Sequence, residues 1–91
     1  MGMVNGDCTP KEHEALQNAV DVACSYPSRC TANQSPAIWR LNIEIKQKCI
    51  NARSAINNKC YKGGNVGHKQ AVDEQNLGIA RCEEFLRGCG Q

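Results

Sequence analysis

The sequence predicts a small all-α domain: a three-helix antiparallel bundle stabilised by disulfides. Three observations predict it. The chain has only 91 residues but seven cysteines. Thr9-Pro10 and Ser35-Pro36 are helix starts, and apolar residues recur every three or four positions with no strand-like alternation. This length makes one domain, residues 1–91. A chain so short buries only about 60–65% of its unfolded surface, so the core is thin and staples are expected. One Trp, one Phe and two Tyr add little aromatic packing. The neighbouring spacings Cys24-x5-Cys30, Cys49-x10-Cys60 and Cys82-x6-Cys89 contain no C-x-x-C knuckle for a tetrahedral ion. Disulfides in an oxidising compartment are therefore expected in place of zinc, with no metal and no cofactor. The odd count leaves one thiol over. With seven choices of that thiol and fifteen pairings of the other six, the connectivity stays open. Cys89, between Gly88 and Gly90, is expected to be unpaired or peripheral, leaving Cys8, Cys24, Cys30, Cys49, Cys60 and Cys82 as the bridging set.

The first helix opens at Thr9-Pro10-Lys11-Glu12, where Thr9 caps, Pro10 suits the first helical position and Glu12 completes a capping box. Leu16, Ala19, Val20 and Ala23 continue a helical stripe to Cys24. Ser25-Tyr26-Pro27-Ser28 breaks it, and Cys30 to Gln34 reads as loop. Ser35-Pro36 starts the second and longest helix, whose apolar face is expected to carry Ile38, Leu41, Ile45, Cys49, Ala52 and Ile56. Asn57-Asn58 and Lys62-Gly63-Gly64 end it. The third helix runs from about Val66 to Arg87 with Val72, Ile79, Cys82 and Leu86 facing inward and Gly88 as its stop. Gly78 sits mid-helix at a cost of about 1 kcal/mol relative to Ala, which suggests a close helix–helix approach. Residues 1–7 are expected to be disordered or expression-derived. Met1-Gly2-Met3 reads as an expression start on a domain excised from a larger exported protein. No apolar run is long enough for a signal peptide or a membrane span.

The net charge of +2 is unevenly spread. Residues 40–69 carry Arg40, Lys46, Lys48, Arg53, Lys59, Lys62 and Lys69 against Glu44 alone, a local charge of +6. That is either a solvated helix face or a site for an anionic partner.

The two histidines fall at the same end of an up-down-up bundle. His13 lies about 6 Å above the start of the first helix and His68 about 4–5 Å above the start of the third. Asn57 and Arg53 lie about 5 and 10 Å from the end of the second. Cys8 and Cys60 share that layer and are placed to pair there. Two imidazoles beside an arginine suit metal-independent cleavage of a phosphodiester: one neutral His takes the 2′-hydroxyl proton, a protonated one serves the leaving oxygen, and Arg53 stabilises charge on phosphorus. His68, in the first turn of a helix whose dipole disfavours the imidazolium, is the better base. Backbone N–H groups from Asn65 to His68 are candidates to meet a phosphate. The candidate catalytic residues are thus His13, His68, Arg53 and Asn57. The candidate substrate-binding residues are Lys59, Lys62, Asn65, Gly67 and Lys69. The plainer alternatives are two unconnected surface histidines and an ordinary interhelical turn at Gly63–Gly67.

Cys8-Thr9-Pro10-Lys11-Glu12-His13, Cys49-Ile50-Asn51-Ala52-Arg53 with Ile56-Asn57-Asn58-Lys59-Cys60, and Gly63-Gly64-Asn65-Val66-Gly67-His68 together resemble a known family. It is the cysteine-rich helical toxin domain at the C-termini of bacterial polymorphic toxins, especially RHS-repeat proteins. The resemblance covers Cys8 to Cys82, and its Gly-Gly-Asn-x-Gly-His segment is the most specific piece. It implies a domain carried by a larger RHS-type protein, secreted or delivered into a rival bacterial cell and neutralised by a cognate immunity protein. Many toxins of this broad class are nucleases. The family's cysteine near Ser35-Pro36 is missing here, which unsettles any carried-over pairing.

Three function classes follow. The first is a toxin ribonuclease using His13, His68 and Arg53 on an anionic substrate such as RNA, though few aromatics are present to stack bases. The second is a toxin hydrolase working in the periplasm on peptidoglycan or lipid, favoured by the disulfide count but lacking a paired-carboxylate site. The third is a non-catalytic, disulfide-stapled binding module.

Overall fold

The fold, a computed structural model, describes residues 8–88. Three helices follow in order: α1 (Pro10–Ala23), α2 (Pro36–Tyr61) and α3 (Val66–Gly88). Residues 1–7 and Cys89, with the expectations attached to them, lie outside the described residues.

The local chemistry sets the helix ends. Thr9 Oγ1 accepts from the Glu12 N–H at 3.1 Å while the Thr9 N–H donates to Glu12 Oε1 at 3.0 Å, a complete capping box. Ser35 Oγ accepts from the Ile38 N–H at 3.3 Å, and Pro occupies the first turn of both helices. Lys62 (φ 53°) and Gly63 (φ 79°) are left-handed and stop α2. The Gly63 N–H then returns to the Asn57 carbonyl at 2.8 Å. Asn65 starts α3, its Oδ1 accepting from the His68 N–H at 2.8 Å.

Helix α2 is the spine. Helices α1 and α3 each pack against it and not against one another. The molecule is a rod, 49 × 20 × 15 Å, with a radius of gyration of 15.2 Å where a compact chain of this length has about 12 Å. Among the described residues no single large core forms. One cluster centres on Val20, Ile56 and Cys60, with Leu16, Ala52 and Tyr61 against it. The other centres on Cys30, Trp39 and Cys82, with Ile43, Phe85 and Leu86 against it. Trp39 and Phe85 stack with centroids 5.2 Å apart, and the Trp39 indole N–H donates to the Thr31 carbonyl at 2.8 Å.

Three disulfides fix the connectivity that the sequence left open: Cys8–Cys60, Cys24–Cys49 and Cys30–Cys82. The first two clamp α1 antiparallel to the C-terminal half of α2. The third ties the 24–35 loop to α3 near its end.

The expected apolar face of α2 is wrong at its N-terminal end. Ile38 and Leu41 are exposed (40% and 49%), while Trp39, Asn42 and Lys46 are buried. The reason is topological. The 24–35 loop and α3, held by Cys30–Cys82, cover the flank that carries Trp39 and Lys46, and α1 ends too soon to cover the other. Ala19 of the expected α1 stripe is likewise exposed. Cys82 of α3 is fully buried, with Val72, Ile79 and Leu86 half-buried. At Gly78 the close approach is a side chain: an added Cβ would stand 3.0 Å from both Cε and Nζ of Lys46.

Candidate functional site

The end of α2 gathers most of the expected residues. His13, in the second turn of α1, faces Tyr61 across the seam: its Nε2 lies 3.0 Å from the Tyr61 hydroxyl, with the rings edge-on at 6.0 Å. Cys8–Cys60, anchored one residue before Tyr61, holds the two helices together at this point. His68, in the first turn of α3, sits on the other side of the same phenol, with ring centroids 5.8 Å apart. Arg53, two turns back along α2, brings Nη1 to 3.4 Å from His68 Nδ1. A guanidinium only donates, so Nδ1 accepts and neutral His68 carries its proton on Nε2. The cluster therefore runs His13–Tyr61–His68–Arg53, with partly buried members from all three helices.

The electrostatics follow from that packing. Burial lowers the pKa of His68 below the ordinary histidine value, and the nearby Arg53 and His13 lower it further. Arg53 Nε is buried with no hydrogen-bond partner. A buried, charged donor left open in this way is costly unless something occupies it. Among the described residues, no three His, Cys, Asp or Glu side chains come together to hold a metal ion.

The remaining expected residues divide. Asn57 is buried and its Oδ1 accepts from the Asn65 N–H at 2.8 Å, so it pins the turn and positions the site. Asn65 is likewise occupied, its side chain capping α3. The phosphate cradle expected over the N–H groups of Asn65 to His68 is therefore half closed, because both end N–H groups already have partners. Gly67 is exposed, and an added Cβ would stand 3.3 Å from Asn65 Oδ1. Lys62 and Lys69 are exposed at the same end. Lys59 turns toward Glu12, 3.9 Å away, and belongs to the opposite flank. Two apolar grooves, one lined by Val22, Tyr26 and Ile45 and the other by Ala15, Leu16 and Ala55, contain neither histidine.

Tyr61 is the residue the sequence reading missed. The signal was there: Arg53, Asn57 and Tyr61 are spaced four apart and share one face of α2.

Comparison with known proteins yields one finding. The family model described as novel toxin 16 matches residues 4–85. No curated protein and no solved structure matches the chain.

Proposed function

The chain belongs to the novel toxin 16 family, and from that premise we propose that it is an antibacterial effector domain acting as a metal-independent ribonuclease. The observation that carries this reading is the His13–Tyr61–His68–Arg53 cluster, with its unpartnered Arg53 Nε. An arginine that holds a histidine with one nitrogen and leaves a buried donor open is arranged to receive an oxyanion. The phosphodiester draws the guanidinium toward itself and frees His68 Nδ1. His68, kept uncharged by its surroundings, takes the proton from the ribose 2′-hydroxyl. The O2′–P bond forms and the P–O5′ bond breaks. The departing O5′ takes a proton from the imidazolium of His13, passed through the Tyr61 hydroxyl. The products are a 2′,3′-cyclic phosphate and a 5′-hydroxyl.

Lys62 and Lys69 steer the polyanion to an open surface, which suits RNA better than a deep pocket would. Carriage on a larger RHS-type protein, delivery into a rival cell and capture by a cognate immunity protein complete the proposal.

The test is cleavage of RNA by the oxidised chain in EDTA, with the ends of the fragments identified. Cyclic phosphate ends, lost on His13→Ala, His68→Ala or Arg53→Met, are expected. General acid–base groups contribute about 10²–10⁴-fold each. Intact RNA, or full cleavage by His68→Ala, sinks the reading.

A further inference from the structure

We infer that Ser28 and Lys46 form a second reactive centre, in which the Lys46 amine is the base for a Ser28 nucleophile that attacks carboxylic esters and related acyl electrophiles. The centre lies away from the histidines: Lys46 precedes Asn57 by about 16 Å along the axis of α2.

The starting observation is an anomaly. Lys46 is only 8% exposed, and lysine is almost never this buried unless paired. Yet among the described residues no carboxylate lies within ion-pair range of it. Its Nζ instead donates to the Ser28 hydroxyl oxygen, at 3.1 Å, and once uncharged the amine can accept from that hydroxyl in turn. Two further features shape its surroundings. Gly78 of α3 leaves the space its stem crosses, and a Cβ at that position would collide with both Cε and Nζ. Burial disfavours the ammonium, and the neighbouring positive charge of Arg81 disfavours it further, so the Lys46 pKa is lowered. A desolvated amine beside a second cation is how a lysine is made available as a base.

Ser28 sits on a loop that is fixed at both sides. It is half-buried, in the loop between Cys24 and Cys30, and both of those cysteines are disulfide-bonded. The next residue is fixed as well, because Asn42 Nδ2 donates to the Arg29 carbonyl at 3.2 Å. One turn of α2 therefore carries both the base and the group that locks the loop. A simple strut would need none of this isolation from counter-charge.

The reaction balances with these two groups and water. As Ser28 Oγ bonds to the carbonyl carbon, its proton moves to Lys46 Nζ. Collapse of the tetrahedral adduct expels the alcohol, which takes that proton. Water then attacks the acyl-serine by the same route, with Lys46 accepting its proton and returning it to Ser28 Oγ.

The test uses the whole oxidised chain and a small alkyl fluorophosphonate, read by intact mass and peptide mapping. The serine oxygen–phosphorus bond forms, fluoride leaves, and the proton passes to Lys46. One adduct is expected, on Ser28, absent in Ser28→Ala and about a hundredfold slower in Lys46→Met. Gly78→Ala retains both residues but displaces the amine, and it is expected to slow labelling in the same way. His13→Ala and His68→Ala are expected to label at the rate of the native chain, which separates this centre from the ribonuclease reading. A chain that takes no adduct, or takes it elsewhere, overturns the inference. So does labelling of Ser28 that is indifferent to both Lys46→Met and Gly78→Ala.

Discussion

Tyr61 sets the behaviour of the histidine cluster one residue at a time. Its hydroxyl touches His13 and its ring faces His68, so Tyr61→Phe keeps the packing and removes only the proton path. A single neutral hydrogen bond contributes about 1 kcal/mol, so the melting temperature of Tyr61→Phe is expected to fall by no more than about 4–8 °C. RNA cleavage is expected to fall by about tenfold or more. Equal cleavage by Tyr61→Phe removes the phenol from the mechanism. His68 carries a pH signature of its own. Its folded pKa is depressed below its unfolded value of about 6.5, so the folded state favours the uncharged ring. Its contribution is complete above that value and is lost as pH falls through the folded pKa. Thermal melts between about pH 5 and 7.5 are expected to lose stability less steeply in His68→Gln than in the native chain; identical slopes refute this. At this scale the sequence named His13, His68 and Arg53 because few residue types can do acid–base chemistry on an anion. It passed over Tyr61, which becomes chemical only through its neighbours. It also cast Asn57 and Asn65 as site groups when their oxygens were already needed by the turn.

At the scale of the elements, helix ends were readable and helix faces only partly so. Caps depend on two or three adjacent residues, and both Thr9 and Ser35 do what their sequence context predicts. Which flank of α2 is covered depends instead on the length of α1 and on where Cys30 meets Cys82. Neither is local information. Periodicity placed Leu41 and Ile56 on one stripe, yet Leu41 is 49% exposed and Ile56 fully buried. The two should therefore differ sharply on truncation. Ile56→Ala is expected to cost about 2–5 kcal/mol, because it opens a cavity between α1 and α2. Leu41→Ala is expected to stay within about 0.5 kcal/mol. Urea denaturation of the two variants measures both, and comparable losses would show that the exposed stripe of α2 is covered after all.

For the whole molecule, the count of cysteines and the shortness of the chain already announced that packing alone is insufficient, while their pairing was beyond reach. Both follow from the rod-like shape. With α1 and α3 apart, each cluster has a disulfide cysteine at its centre: Cys60 in one, Cys30 and Cys82 in the other. The bridges span sequence separations of 52, 25 and 52 residues, and loops of that length each contribute about 3–4 kcal/mol by chain entropy. Their sum is comparable with the whole stability of an ordinary domain, about 5–15 kcal/mol. Helix α1 depends on them most, since Val20 is its one buried residue and two bridges hold it. Losing those bridges also carries His13 away from Tyr61. Reduction and alkylation are therefore expected to abolish the cooperative melt seen by circular dichroism and to abolish RNA cleavage with it. The last bridge to go should be Cys30–Cys82. Cys82 is fully buried and Cys30 nearly so, whereas half-buried Cys8 and Cys24 leave each α1 bridge open at one end, and an attacking thiolate must reach a sulfur. Reduction of Cys30–Cys82 then waits on local opening, so its half-life in dithiothreitol is expected to shorten steeply when urea is added below the unfolding midpoint. Reduced protein that keeps its melt, or a Cys30–Cys82 bridge that is cut equally fast with and without urea, would rule out this dependence.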